Sequence, residues 1–166
     1  MPAKKENNFA FIDSANLHLG IKQLGWRLNY ARFRTYLAEK YAVKRAYMFI
    51  GYNPDEKNLH QNLQACGYIL DFKPTLKLRD GKIKGNCDAE LVLRCMIDLP
   101  NYDKAVVVAG DGDYHCLIKH LKENDKLEKV IAPSPQGCSV LLTRLMGQGA
   151  TIDFLSEKKS SLEYTG

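Results

Sequence analysis

The sequence has no apolar run approaching the ~20 residues that a membrane-spanning helix needs, and no membrane partner is expected. It has no C-x-x-C. Its five cysteines, Cys66, Cys87, Cys95, Cys116 and Cys138, are scattered and odd in number. That excludes a disulfide framework and a zinc pattern, and leaves reduced buried thiols as the expectation. The opening stretch "MPAKKENNFAF" lacks the order of basic end, apolar segment and small-residue cleavage site that marks a secretory signal, so a cytoplasmic placement is expected. There is no internal repeat, low-complexity segment or linker, which argues for one domain. His18, His60, His115 and His120 show no metal-ligand spacing.

What is present is globular: 45% hydrophobic and 26% charged residues over 166 positions, enough for a sizeable core. The formal charge of +5 suits a polyanionic partner without requiring one. What matters is where the basic residues lie relative to the acidic ones.

Along the chain, strand and helix signals alternate. "NFAFID" (8–13) reads as an apolar strand broken at Asp13, and "ANLHLGIKQLG" as a helix. Asn29 is a plausible N-cap for a helix with Phe33, Tyr36, Leu37 and Tyr41 at helical spacing. A strand over 43–52, a helix from Pro54 stopped by Gly67, and a strand over 68–74 follow. "TLKLRDGKIKG" (75–85) alternates around Asp80-Gly81, a hairpin signal of type I′. Then come a helix over 88–99, the strand "KAVVVA", the helix "DYHCLIKHLKEND", the strand "EKVIAPS", the helix "CSVLLTRLMGQG" and a short strand "ATIDFL". The polar tail 156–166 is expected to be loose. This alternation predicts an α/β fold: a three-layer α/β/α sandwich around a mostly parallel sheet, with an inserted basic hairpin. Strands covered on both faces read as continuous apolar runs, as "AVVVA" does.

In such sheets ligands bind at the carboxyl ends of the strands, at a topological switch point. Asp13 ends the first strand, Asp111 follows the "AVVVA" strand, and Asp113 lies just beyond it. If those two strands are neighbours, the three acids converge, and Asp88 can join from the start of its helix. Four carboxylates together would hold a hard cation, Mg²⁺ or Mn²⁺, of the kind that assists displacement at phosphorus. Each acid also has a plainer reading. Asp13, Asp111 or Asp113 could cap a helix, and Asp88 in a first turn favours the macrodipole. Two acid-bearing strand ends, one of them doubled, make coincidence the weaker account. Asn16 could hydrogen-bond a carboxylate or a metal-bound water, or satisfy local backbone. Glu90 and Asp98 read as surface charges. Lys73, Lys77, Arg79, Lys82 and Lys84 surround the hairpin just before Asp88, and basic residues beside an acidic site suit a phosphodiester backbone. A solvated hairpin face is the alternative.

Three blocks, in order, carry a resemblance: "FAFIDSANL" (9–17), "KGNCDAELVL" (84–93) and "VVVAGDGDYHCLIKHL" (106–121). Together the sequence resembles the NYN family of PIN-like nucleases, in its bacterial LabA-like (DUF88) branch, from about Phe9 to Leu155. The resemblance implies a PIN-like, Rossmann-like domain over 8–155 and Mg²⁺- or Mn²⁺-dependent cleavage of RNA. It implies metal-binding and catalytic roles for Asp13, Asp88, Asp111 and Asp113, with Asn16 in support. Arg79, Lys82 and Lys84 are the candidates for guiding the RNA backbone. Three departures stand out. Ala109 replaces a common Ser, Tyr114 replaces the usual Phe, and the family's second Asp of the helix falls at Arg94. Arg94 leaves open a one-metal protein, or a non-catalytic RNA-binding or regulatory module on the same fold. A phosphatase of haloacid-dehalogenase type would want D-x-D at the first strand, where this chain has D-S-A-N. No aromatic platform indicates base reading, and single-stranded RNA is the expected partner. Pairing of two copies through the hairpin or the last strand is a further open arrangement.

Overall fold

The first strand, β1 (Asn8–Asp13), is buried along its whole length. Its alternate residues serve two different layers: Phe9 and Phe11 enter one core, Ala10 and Ile12 the other. That two-sided demand is why the strand reads as a continuous apolar run. The computed structural model describes residues 6–74, 76–77, 79, 83–84, 87–146 and 152–165.

α1 (Ser14–Gln23) and α2 (Tyr30–Tyr41) follow β1. α2 starts as its sequence predicts: the Asn29 side chain accepts from the Arg32 amide at 3.1 Å. β2 (Val43–Gly51) leads through a 3-10 turn, Pro54–Glu56, into α3 (Lys57–Ala65). Gly67, at φ 99°, ends that segment, in a backbone region open to glycine and costly for other residues. β3 (Tyr68–Lys73) is followed by β4 (Leu76–Lys77) and β5 (Ile83–Lys84), an antiparallel pair with Leu76 opposite Lys84. The two strands of the expected hairpin therefore pair. The expected turn residues Asp80 and Gly81 and Lys82 lie outside the described residues, as does the Lys84 side chain, while Arg79 is exposed. Then come α4 (Asp88–Ile97), β6 (Ala105–Val108), α5 (His115–Glu123), β7 (Leu127–Ala132), α6 (Val140–Met146), β8 (Ile152–Phe154) and α7 (Lys159–Leu162).

Six strands form one sheet in the order β3-β2-β1-β6-β7-β8, and every neighbouring pair in it is parallel. β4 and β5 form a separate two-stranded sheet. Leu17, Ile21, Phe33, Leu37, Leu63 and Leu162 cover one face, from α1, α2, α3 and α7. Leu91, Cys95, Leu117, Ile118, Leu121 and Leu142 cover the other, from α4, α5 and α6. The fold is the three-layer α/β sandwich the alternation predicts.

The C-terminal segment is not loose. Leu155 and Leu162 are buried, and the Asn29 amide donates to the Leu162 carbonyl at 2.7 Å. The Tyr164 amide donates to the Arg27 carbonyl at 2.7 Å. Two apolar anchors in a polar stretch dock it beside α2. Asp98, expected at the surface, is buried as well, at the C-terminal end of α4.

Candidate metal centre at the switch point

The chain winds outward from β1 in one direction through β2 and β3, and in the other from β6 through β7 and β8. The reversal falls between β1 and β6, which lie side by side with Ile12 opposite Val108. Asp13 is the last residue of β1, and the loop that leaves β6 carries Asp111. The neighbourhood on which the convergence depends is therefore present.

Asp13 does two things. Its Oδ1 caps α1 by accepting from the Asn16 amide at 3.1 Å, so the plain capping reading is correct as far as it goes. Its Oδ2 accepts from the Tyr114 hydroxyl at 3.0 Å. The Asn16 Oδ1 accepts from the Gly110 amide at 2.9 Å. It thereby stitches α1 to the loop that carries Asp111. The Asp111 side chain accepts from the Asp113 amide at 2.9 Å and caps a short 3-10 turn, Gly112–Tyr114. Asp88 opens α4, and its Oδ1 accepts from Tyr114 at 2.9 Å.

Asp88, Asp111 and Asp113 each bring one carboxylate oxygen within 4.8 Å of the others. Asp88 and Asp111 are half-buried and Asp113 is exposed, so the group opens to solvent. Among the described residues this is the one such group, and Asp13 is not a member of it. Asp13 is only 8% exposed and reaches the group through Tyr114. The electrostatics fit crowded acids. The Asp113 carboxyl is held above its ordinary range, first by the charge of Asp111 and then by a hydrogen bond with Asp88 and that residue's charge. Burial pushes Asp13 up, against the pull of the Asn16 amide and the Tyr114 hydroxyl, and the charges of Asp88 and Asp111 push further. Tyr114 is raised strongly by burial, by Asp13 and by Asp88, so its proton stays on and the hydroxyl is a donor. Three oxygen donors of one charge, close together, match a hard divalent cation.

The NYN domain family model matches residues 9–159. The chain belongs to the NYN family. That family is of the PIN-like nuclease type. "Low amplitude and bright protein LabA" of Synechococcus elongatus is 25% identical to this NYN chain over 122 residues, 68% of the chain and 66% of LabA. The alignment thus spans just under two thirds of that relative's length. A crystal structure of a protein of unknown function from Vibrio parahaemolyticus has the same fold, with a TM-score of 0.71 at 22% identity over 87% of this chain and 92% of that one.

Arg94 in this NYN domain turns toward β3, with its Nε 3.6 Å from Asp71 Oδ2 and its guanidinium 5.8 Å from the Tyr47 ring centroid. Lys73 pairs with Glu90 at 3.6 Å on the same side of α4. The three-acid group forms with Arg94 occupied elsewhere. A neighbouring loop crowds Gly110 and Gly112. A Cβ at Gly110 would lie 2.1 Å from the Gly137 carbonyl oxygen, and one at Gly112 would lie 2.6 Å from Ser139 Oγ. The Gly110 carbonyl also accepts from the Ser139 amide at 2.8 Å. The segment joining β7 to α6 thus braces the loop that carries Asp111. Sequence reasoning missed this segment, and it missed the Tyr114 bridge. For Tyr114 there was a signal, because a hydroxyl stands where the family usually has Phe. All five cysteines are free. Cys87 is pushed up to about 11, chiefly by burial, and Cys116 is exposed rather than buried.

Proposed function

We propose that the chain is a Mg²⁺- or Mn²⁺-dependent ribonuclease acting on single-stranded RNA in the cytoplasm. The observation that carries this reading is the approach of Asp88, Asp111 and Asp113 to within 4.8 Å at the switch point of a nuclease-type fold. Their mutual repulsion is the cost a divalent cation would remove. These three carboxylates would hold the ion. The chemistry it supplies when bound is charge stabilisation at phosphorus and activation of water. Asn16 keeps the Asp111 loop in place through Gly110. Arg79, on the hairpin, is exposed and free to meet a phosphodiester backbone in solution, and Lys82 and Lys84 are assigned to the same task. No helix among the described residues is long and apolar enough to cross a membrane.

Incubation of the purified chain with end-labelled single-stranded RNA and Mn²⁺ tests the reading. Cleavage by the wild type is expected, with a loss of at least about 100-fold in Asp111→Asn, because one of three ion-holding carboxylates is gone. Equal cleavage by both proteins would assign the activity to a contaminant. RNA binding without cleavage would favour the non-catalytic RNA-binding module on the same fold.

A further inference from the structure

Resting on the RNA reading above, we infer that Tyr52 and Phe72, backed by His60, form a site on which a base of the single-stranded RNA stacks. The three rings come from three places in the chain: Tyr52 directly follows β2, Phe72 lies in β3 and His60 in α3. That is why no aromatic platform stands out in the sequence. The two strands are joined at this point, with Gly51 opposite Lys73 and the Tyr52 amide donating to the Lys73 carbonyl at 2.8 Å. The Phe72 ring lies 4.9 Å from the His60 ring at 66°, and 5.6 Å from the Tyr52 ring at 87°. Edge-to-face packing of this kind fixes the rings without stacking them on each other. His60 is buried, and its Nε2 has no hydrogen-bond partner among the described residues. An unpaired buried nitrogen is a cost; what the ring provides in return is its contact with Phe72.

Tyr52 is 45% exposed and Phe72 36%, although each packs against a neighbouring ring. Exposed apolar surface gathered in one place marks a binding site, and its position selects the occupant. Alternation along β2 and β3 puts both rings on the α3 side of the sheet, in line with Met48 and Leu70. Asp13 is level with Phe49 of β2, so Tyr52 stands about 10 Å beyond the acid-bearing end of β1, one strand across. A strand of RNA held at the acids reaches the rings within a few nucleotides, over the carboxyl ends of β2 and β3. The turn before α3 carries Asp55 and Glu56, while Lys73 and the exposed Arg79 lie toward the hairpin. Charge around the rings is therefore mixed, and a flat apolar face is what they offer. Every base has such a face, and aromatic side chains beside a basic element are the combination that binds single strands with little sequence preference. The edge shared with the acids favours RNA over an apolar protein segment.

The test is fluorescence anisotropy with the full chain carrying Asp111→Asn as the parent, in Mn²⁺, so that the RNA stays intact. One probe is a labelled mixed-sequence single-stranded RNA of about 12 nucleotides, within the usual size of such sites. The other is a base-free sugar-phosphate strand of the same length. Tyr52→Ala and Phe72→Ala, added singly, are each expected to weaken RNA binding by about 5–100-fold, the range for losing one stacked base. Tyr52→Leu and Phe72→Leu keep apolar bulk beside His60 without a flat ring, and should lose comparably while melting as the parent does. All four should bind the base-free strand as the parent does. Unchanged RNA affinity in the folded leucine variants overturns the stacking site and leaves the rings to a protein partner. Equal losses on both strands overturn it too, because contact with the sugar-phosphate backbone would then explain them. Absence of RNA binding by both the parent and the wild type removes the RNA reading itself, and the stacking site with it.

Discussion

At the scale of the residue, the hydrogen bonds around Tyr114 do not balance without an ion. One phenolic proton faces two carboxylate oxygens, on Asp13 and Asp88, and can satisfy only one at a time. Asp13→Asn corrects this. The amide oxygen can keep the Asn16 cap, and the amide nitrogen can donate to the Tyr114 oxygen, freeing its proton for Asp88. The substitution also removes a buried charge. Without divalent ions, Asp13→Asn is expected to raise the melting temperature at pH 7 by about 2–4 °C, as a gain of about 1 kcal/mol does in a domain of this size. The sign of the pH dependence follows from Asp13. Its carboxyl is raised above 3.8 in the folded state, so the fold holds that proton more tightly than the unfolded chain does. The wild type therefore loses stability as pH rises from 3.8 through the raised value, and the penalty is complete above it. The advantage of Asp13→Asn should shrink as pH falls through that window and vanish below it. Melts of both proteins across acid and neutral pH, in chelator, check this. An advantage that persists unchanged in acid would assign it to packing rather than charge.

At the scale of the element, the acid site is held by a loop that bears no acid. The backbone of the segment between β7 and α6 presses on Gly110 so closely that it has no room for a side chain, and the Ser139 hydroxyl crowds Gly112. Gly110→Ala would drive a methyl group into the Gly137 carbonyl, backbone against backbone, where no rotamer change gives relief. A loss of about 3 kcal/mol is expected, at the upper end of ordinary overpacking costs. Urea unfolding checks it, and a midpoint within error of the wild type would mean that the two loops separate freely. This contact was not legible in the sequence, because "SPQGCS" (134–139) and "GDGD" (110–113) lie in different loops and neither motif names its neighbour. The acids themselves were legible. A strand buried on both faces must end abruptly, and the first polar residue after "FAFI" or "VVVA" marks its carboxyl end. Arg94 was legible as an oddity but not as a partner of Asp71, since α4 and β3 are joined only through tertiary packing. Tyr114 was noticed for the same reason and understood no better, because its hydroxyl acquires meaning only when α4 brings Asp88 to it.

At the scale of the whole molecule, the order of the six strands places the acid site on one edge, while the chain's end closes one face far along the sequence from it. β8 is an edge strand, and its Asp153 accepts hydrogen bonds from the hydroxyls of Tyr36 and of Tyr41, the latter at 2.7 Å, with Lys40 at 3.7 Å. α7 then lays Leu162 into the core shared by α1 and α2. Composition concealed this: a polar tail reads as loose when its few apolar residues are counted rather than placed. Leu162 is 2% exposed, so Leu162→Ala leaves a cavity in a packed face. The expected cost is about 2–5 kcal/mol, and each kcal/mol lowers the melting temperature by about 2–4 °C. Leu162 packs in the layer opposite α4 and Tyr114. A folded Leu162→Ala should therefore bind Mn²⁺ as the wild type does. Loss of stability without loss of ion affinity would separate the face that holds the sheet closed from the edge that holds the acids. A parallel loss of both would mean that the switch point is braced from the α2 side as well, through β1, whose residues enter both cores.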